Sequence, residues 1–167
     1  MSDYICYCLL QDGSGSRKLA ERLSKLQEYY ERTSFPDLPS QAFVYGDHEA
    51  VCRPFQTFPR GWRTGIDAGM GRCCLQDMMA LSWHLLSSVM GRQAGVSCKL
   101  VFVSEISLAA EEESAVIVGD QLRKLKEQGL EIIFVSCSPE ADAGPLRALA
   151  NLEIGAGEDA AFILGGS

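Results

Sequence analysis

This 167-residue chain lacks the features that mark nucleic-acid and membrane proteins. Lys and Arg number 15 against 22 Asp and Glu, which gives a formal net charge of −7. The few basic residues are scattered, whereas binding to nucleic acid or to an anionic membrane rests on concentrated positive charge. No apolar run approaches the roughly 18 residues needed to span a bilayer. Neither nucleic acid nor membrane is therefore an expected partner.

Zinc-site and export signals are also missing. The seven cysteines form no Cys-x-x-Cys pair, and their odd number within mostly apolar segments indicates reduced thiols packed as small apolar side chains. His48 and His84 have no second imidazole or thiol at ligand spacing, so both are expected to be structural. The N-terminus shows neither a basic flank nor a small-residue cleavage site, so no signal peptide is expected. These absences predict a soluble, cytoplasmic protein.

The hydrophobic pattern predicts a single α/β domain over residues 1–167. Apolar residues make up 47% of the chain, enough to bury a sheet under helices. A continuous apolar run, typical of a strand buried on both faces, occupies residues 4–10. Two further strands buried on both faces are predicted at residues 99–103 and 130–135, which are apolar except for Lys99 and Glu131. Amphipathic or apolar helices are predicted at residues 17–30, 70–90, 115–128 and from 145. In the 70–90 helix, the residues expected to face inward are Leu75, Met79, Leu81, Leu85 and Val89. A hairpin is predicted at 42–45 and 50–55, and a last strand at 160–164. Because strands and helices alternate, the sheet should be mainly parallel and doubly wound, with helices on both faces.

Oxygen-bearing side chains stand where this fold binds ligands, just beyond the carboxyl ends of its strands. The loop after the first strand carries Asp12, Ser14 and Ser16, and Thr64 precedes the long helix. Ser104 and Glu105 follow the second buried strand. A carboxylate with several hydroxyls suits magnesium or manganese with some waters retained, rather than calcium or zinc. The sequence therefore predicts a magnesium or manganese site.

This pattern resembles the metal-ion-dependent adhesion site (MIDAS) of von Willebrand factor A (vWA) domains, and the resemblance covers nearly the whole chain. Asp12, Ser14 and Ser16 match the Asp-x-Ser-x-Ser motif at the end of the first strand, and Thr64 matches the Thr before the long helix. Glu105, within Ser104-Glu105-Ile106, stands where the family usually has Thr-Asp-Gly.

The resemblance implies a fold and a function. It implies a six-stranded, Rossmann-like sheet of order 3-2-1-4-5-6 with strand 3 as an antiparallel edge. It implies metal ligation by Asp12, Ser14, Ser16, Thr64 and Glu105, completed by a carboxylate from a partner protein. Similar intracellular bacterial domains work beside AAA-type ATPases or in tellurium-resistance-like stress clusters, so a non-enzymatic interaction module is expected, with no small-molecule substrate.

Other interpretations of the same residues remain open. An Asp at the end of a first parallel strand beside magnesium also suits a phosphohydrolase using Asp12, although a second Asp two residues on is missing. Gly13-Ser14-Gly15 lacks the third glycine and the lysine of nucleotide-binding loops. An ordinary Asx turn with a helix N-cap would also explain Asp12 to Ser16. Glu105 alone would be read as a solvated loop carboxylate.

Overall fold

The computed structural model describes residues 4–11, 19, 21–25, 39–47, 49–57, 74–108 and 116–157. Its six strands are β1 Tyr4–Leu10, β2 Ser40–Asp47, β3 Glu49–Thr57, β4 Cys98–Ser104, β5 Glu131–Ser136 and β6 Leu152–Ile154. Its helices are α1 Leu75–Arg92, α2 Val116–Glu127 and a short 3-10 helix at Gly144–Ala148, and Leu19 and residues 21–25 are also helical. No helix in these ranges is long and apolar enough to cross a membrane.

The strands form one sheet in the order β3-β2-β1-β4-β5-β6. β1 pairs in parallel with both β2 and β4, and the parallel pattern continues through β5 to β6. β3 returns antiparallel beside β2 as the edge strand. The predicted fold class is confirmed, including the strand order and the antiparallel edge.

Strand alternation divides the core between the two faces of the sheet. On β1, Cys6, Cys8 and Leu10 join the larger apolar cluster, while Ile5 and Tyr7 join the smaller one on the opposite face. Side chains of a strand point alternately up and down, so a strand buried on both faces must be apolar at nearly every position. β4 is likewise buried along its whole length.

Helices cover both faces, as a doubly wound sheet requires. Buried residues of α1 and α2 belong to the larger cluster. Leu19 and Leu23 pack into the smaller cluster on the other face. The chain therefore crosses from one face to the other between β1 and β4, the two central strands.

The buried face of α1 differs from the predicted one. Its buried residues are Leu75, Met78, Met79, Ser82, Leu86 and Val89. Leu81 and Leu85, which were expected to face inward, are half-buried beside the core instead. Ser82 tolerates full burial because its hydroxyl donates to the Met78 carbonyl at 2.9 Å. Because Ser82 is polar, the hydrophobic pattern of the sequence did not show that it belongs to the face of α1 that packs on the sheet.

The sequence pattern did not predict the strand at Leu152–Ile154. Residues 160–164, the expected strand, lie outside the described residues, and β6 is instead Leu152–Ile154. Only Ile154 of these three residues is buried, so the strand carries almost no hydrophobic signal. Its pairing with β5 begins at Asn151, whose backbone N–H donates to the Ile132 carbonyl and whose side-chain oxygen accepts from the Ile132 N–H. The position of β6 at the edge of the sheet is therefore set by hydrogen bonds to β5 and not by an apolar sequence pattern.

The six cysteines among the described residues are free thiols, as expected. Cys6, Cys8, Cys98 and Cys137 are buried, Cys52 is half-buried and Cys74 is exposed, while Cys73 lies outside the described residues. Burial raises the pKa of the Cys6 thiol well above its ordinary value, and the neighbouring Cys8 raises it further. A thiol held neutral in this way packs as a small apolar side chain.

Replacing Phe102 at the centre of β4 should cost most of the domain's stability. Phe102 is fully buried, so Phe102→Ala should lower the free energy of unfolding by about 3–5 kcal/mol in urea denaturation. Leu152→Ala, on the edge strand and 37% exposed, is the matched control and should cost less than about 1 kcal/mol. Similar losses in the two variants would contradict the central position of β4.

Candidate metal centre

The carboxyl ends of the two central strands lie side by side. Leu10, the last residue of β1, is in register with Ser104, the last residue of β4. Beyond this pair, the Glu105 backbone N–H donates to the Leu10 carbonyl at 3.1 Å. Glu105 is thereby held beside Gln11, the residue that precedes Asp12. This is the switch point of the sheet, where doubly wound proteins bind their ligands.

Four of the five predicted metal ligands lie outside the described residues: Asp12, Ser14, Ser16 and Thr64. Glu105 is described and half-buried at the edge of the sheet. The described ranges contain no group of three or more His, Cys, Asp or Glu placed to hold a metal ion. The predicted site would instead combine one described carboxylate with the hydroxyl-rich loop that starts one residue after Gln11.

The Ser104 hydroxyl shapes the turn that carries Glu105. Its Oγ donates to the Ile106 carbonyl at 2.8 Å and accepts from the Ile106 N–H at 3.2 Å. These bonds within the turn occupy the hydroxyl of a fully buried side chain. Ser104, which the sequence placed among the candidate oxygen donors, therefore positions the backbone at Glu105.

Gln11 adds an oxygen atom that sequence reasoning missed. Its side chain is only 4% exposed, and neither Oε1 nor Nε2 has a hydrogen-bond partner within the described part of the chain. Buried amides are almost always hydrogen-bonded, and the exceptions concentrate at functional sites and at bound water or ions. The Gln11 amide and the Glu105 carboxylate both supply hard oxygen atoms. The donor chemistry at this edge therefore fits magnesium or manganese.

Arg22 ties the helix that follows the Asp12 loop to the far strands. Its side chain is 8% exposed. Its Nη2 donates to the carbonyl of Ser136, at the end of β5, at 3.2 Å, and to that of Gly155, just beyond β6. Arg22 follows Leu19 by three residues and adjoins Leu23, so helical spacing alone placed it near the buried face. Its charge marked it as a solvent residue, which is why the sequence did not reveal this role.

Comparisons with known proteins assign no family. No family model and no curated protein matches the chain. Two structures of proximal thread matrix protein 1 from the mussel byssus, one with a zinc-occupied MIDAS motif, have TM-scores of 0.47 and 0.49 at 10% and 8% identity. They cover 92% and 93% of this chain, which spans only 41% and 42% of the mussel chains.

A bacterial structure is similar to this chain to about the same extent as the mussel structures. An aerotolerance-related membrane protein from Bacteroides fragilis has a TM-score of 0.45 and 10% identity, over 80% of this chain and 66% of its own. The present chain is thus shorter than each of these proteins. Likenesses this weak carry no functional argument, so the strand order rests on the hydrogen-bonded pairings described above.

Removing the Arg22 guanidinium should destabilise the domain more than removing a surface arginine. Arg22→Met leaves the Ser136 and Gly155 carbonyls without their charged donor, so the free energy of unfolding should fall by about 1–3 kcal/mol in urea denaturation. Arg123→Met is the control, because Arg123 is exposed and pairs with Asp120 one turn away. That change should cost less than about 0.5 kcal/mol. Equal effects would show that Arg22 stabilises the fold no more than a surface charge does.

Proposed function

We propose that this chain is a metal-dependent protein-binding module of the vWA type, with a magnesium or manganese MIDAS. Asp12 and Glu105 anchor the ion and its waters, and Ser14, Ser16 and Thr64 coordinate through their hydroxyls. The observation that carries this proposal is the hydrogen bond from the Glu105 N–H to the Leu10 carbonyl. It holds the Glu105 backbone, just beyond β4, next to Gln11 at the start of the Asp12 loop, although 92 residues separate Asp12 and Glu105 in sequence.

The ligand chemistry accounts for binding rather than turnover. Two carboxylates neutralise a divalent cation, and hydroxyl ligands add little negative charge, so the ion remains able to accept a further anionic oxygen. A Glu or Asp side chain from a partner protein supplies that oxygen. The partner is thus recognised by its acidic side chain, and no small-molecule substrate is required. We infer from this that the chain is not an enzyme.

The cellular setting belongs to the same proposal. An acidic, soluble domain that binds carboxylates through a metal fits an adaptor within a larger cytoplasmic assembly. Such an assembly would be a complex with an AAA-type ATPase or a stress-response complex of the tellurium-resistance-like kind. The net charge of −7 would repel an acidic partner at a distance, so the bound cation has to supply the attraction locally.

Metal binding should raise the thermal stability of the wild type and not that of Asp12→Ala. An ion that binds only the folded state at about 100 times its Kd adds about 2.7 kcal/mol, which shifts Tm by about 5–10 °C in a domain of this size. Thermal unfolding in EDTA, magnesium, manganese and calcium measures this shift. Glu105→Gln should reduce it, and Asp120→Ala, a change in an exposed surface pair, should leave it unchanged. A shift that survives Asp12→Ala would contradict the proposed ligand set.

A turnover assay distinguishes the proposed protein-binding function from a phosphohydrolase activity. With magnesium or manganese present, the wild type should not hydrolyse p-nitrophenyl phosphate above the rate of the Asp12→Ala variant, because the proposed site binds a carboxylate and performs no chemistry. Release of p-nitrophenol, followed by absorbance, measures this rate. Metal-dependent release that disappears in Asp12→Ala would overturn the proposal in favour of a phosphohydrolase that uses Asp12.

A further inference from the structure

A second concave region lies at the opposite edge of the sheet from Glu105. It is an open groove of about 560 Å³ between the last turns of α1, the amino ends of β1 and β2, and β3. Since β1 is seven residues long, the groove and the carboxyl edge are about 20 Å apart. Its volume lies within the range of small-molecule sites in proteins. The groove is therefore independent of the proposed metal centre in both position and composition.

The floor of the groove is apolar and partly aromatic. The rings of Tyr4 and Phe55 meet edge to face, with centroids 5.2 Å apart and planes at 83°. Leu85 and Val89 of α1 complete the floor. The register of β3 against β2 shifts by one residue at Pro54 and Phe55, so the edge strand is irregular where it borders the groove. Ring faces and branched aliphatic groups together suit a planar apolar ligand.

The rim of the groove carries one arginine and several hydrogen-bond donors. None of the described residues that line it is acidic, although the whole chain contains 22 Asp and Glu. Arg92, His84, Ser40 and Ser88 all border the opening. Gln93 exchanges hydrogen bonds with the Tyr4 hydroxyl and so holds that ring in place. Among the described residues of the lining, an anion would therefore meet a cation and no competing carboxylate.

Arg92 has donor capacity beyond its structural role. Its Nε donates to the Ser88 carbonyl at 3.1 Å, and a cation in the last turn also complements the negative end of α1. That role uses one of the five guanidinium hydrogens. Within the described residues, no hydrogen bond or ion pair engages the two Nη groups. Two Nη groups in one plane are the arrangement that binds a carboxylate through both of its oxygens.

We propose that this groove binds a small aromatic carboxylate. Its ring lies on Tyr4, Phe55 and Val89, and its carboxylate pairs with the Nη groups of Arg92. The Ser88 and Ser40 hydroxyls at the rim are available to donate to the same oxygens. The groove thus serves as a small-molecule site on a domain whose opposite edge is proposed to bind protein.

Naphthalene-2-carboxylate and its uncharged amide test the proposal as a matched pair. Titration of each into the ¹⁵N-labelled full chain, followed by amide chemical shifts, reports both affinity and location. The carboxylate should shift the amides of Phe55, Ser88 and Gln93 with a Kd of about 1 mM or below, and bind at least about tenfold tighter than the amide. Arg92→Gln should remove that tenfold preference, and the exposed-site control Arg123→Gln should retain it.

Filling the groove provides a second test that does not depend on charge. Ser88 is an exposed helical residue that lines the groove, so Ser88→Trp should preserve the fold, checked by circular dichroism, and abolish binding of both compounds. Equal binding of carboxylate and amide, equal affinities of Arg92→Gln and Arg123→Gln for the carboxylate, or no shifts at about 5 mM ligand would each overturn the proposal. Shifts confined to the Glu105 edge would overturn it as well, because they would place the carboxylate at the proposed metal centre.

Discussion

The parallel pairing of β1 with β4 is the constraint on which the rest of the molecule depends. The two strands match residue for residue, from Tyr4 beside Cys98 to Leu10 beside Ser104. Because a parallel pair cannot be joined by a tight turn, a long crossover connection must link the two strands. It builds β2, β3 and α1 on the way. The helices that follow β1 and precede β4 then cover opposite faces, and a crevice opens between their strands.

Burial of these central strands explains why the polar backbone groups at their ends are hydrogen-bonded. Backbone groups beyond the last ladder bond need partners, because leaving them buried and unpaired is costly. The Glu105 N–H finds the Leu10 carbonyl, and the Cys137 N–H finds the Ser104 carbonyl at 2.7 Å. Arg22 serves the ends of β5 and β6. In the described part of the chain, these bonds link the carboxyl ends of β1, β4, β5 and β6 and hold the Glu105 backbone at the switch point.

The opposite edge of the sheet is built differently. There the strand ends meet the last turns of α1, and Tyr4 is held by Phe55 and Gln93 rather than by backbone bonds alone. The β3 bulge and the proline within it interrupt the ladder at the same place. Because of the Tyr4 contacts and the β3 bulge, side chains rather than backbone groups line this edge of the sheet. One face of α1 therefore joins the core along its length, and a neighbouring strip near Arg92 borders the groove.

Apolar pattern was sufficient to predict β1, β4, β5, both long helices and the doubly wound class, because elements buried by one another must be apolar along their contact faces. It also indicated Glu105 as a residue just beyond a central strand. It failed for β6, where only Ile154 is buried, and for the exact face of α1, where Ser82 is buried with its hydroxyl bonded within the helix. Arg22 and Gln11 escaped notice because buried polar side chains look like solvent residues in a sequence.

The sequence by itself determined the order of the elements from β1 to β5, the apolar character of the central strands and the oxygen chemistry of the Asp12 loop, since these depend on residue type and local spacing. Only the tertiary structure decided that Glu105 is held beside Gln11, that Arg22 bridges to the ends of β5 and β6, and that Tyr4 and Phe55 meet across the groove by Arg92. Each of these contacts joins residues more than fifty positions apart in the sequence. Strand register brings them together, and register is a property of the assembled sheet.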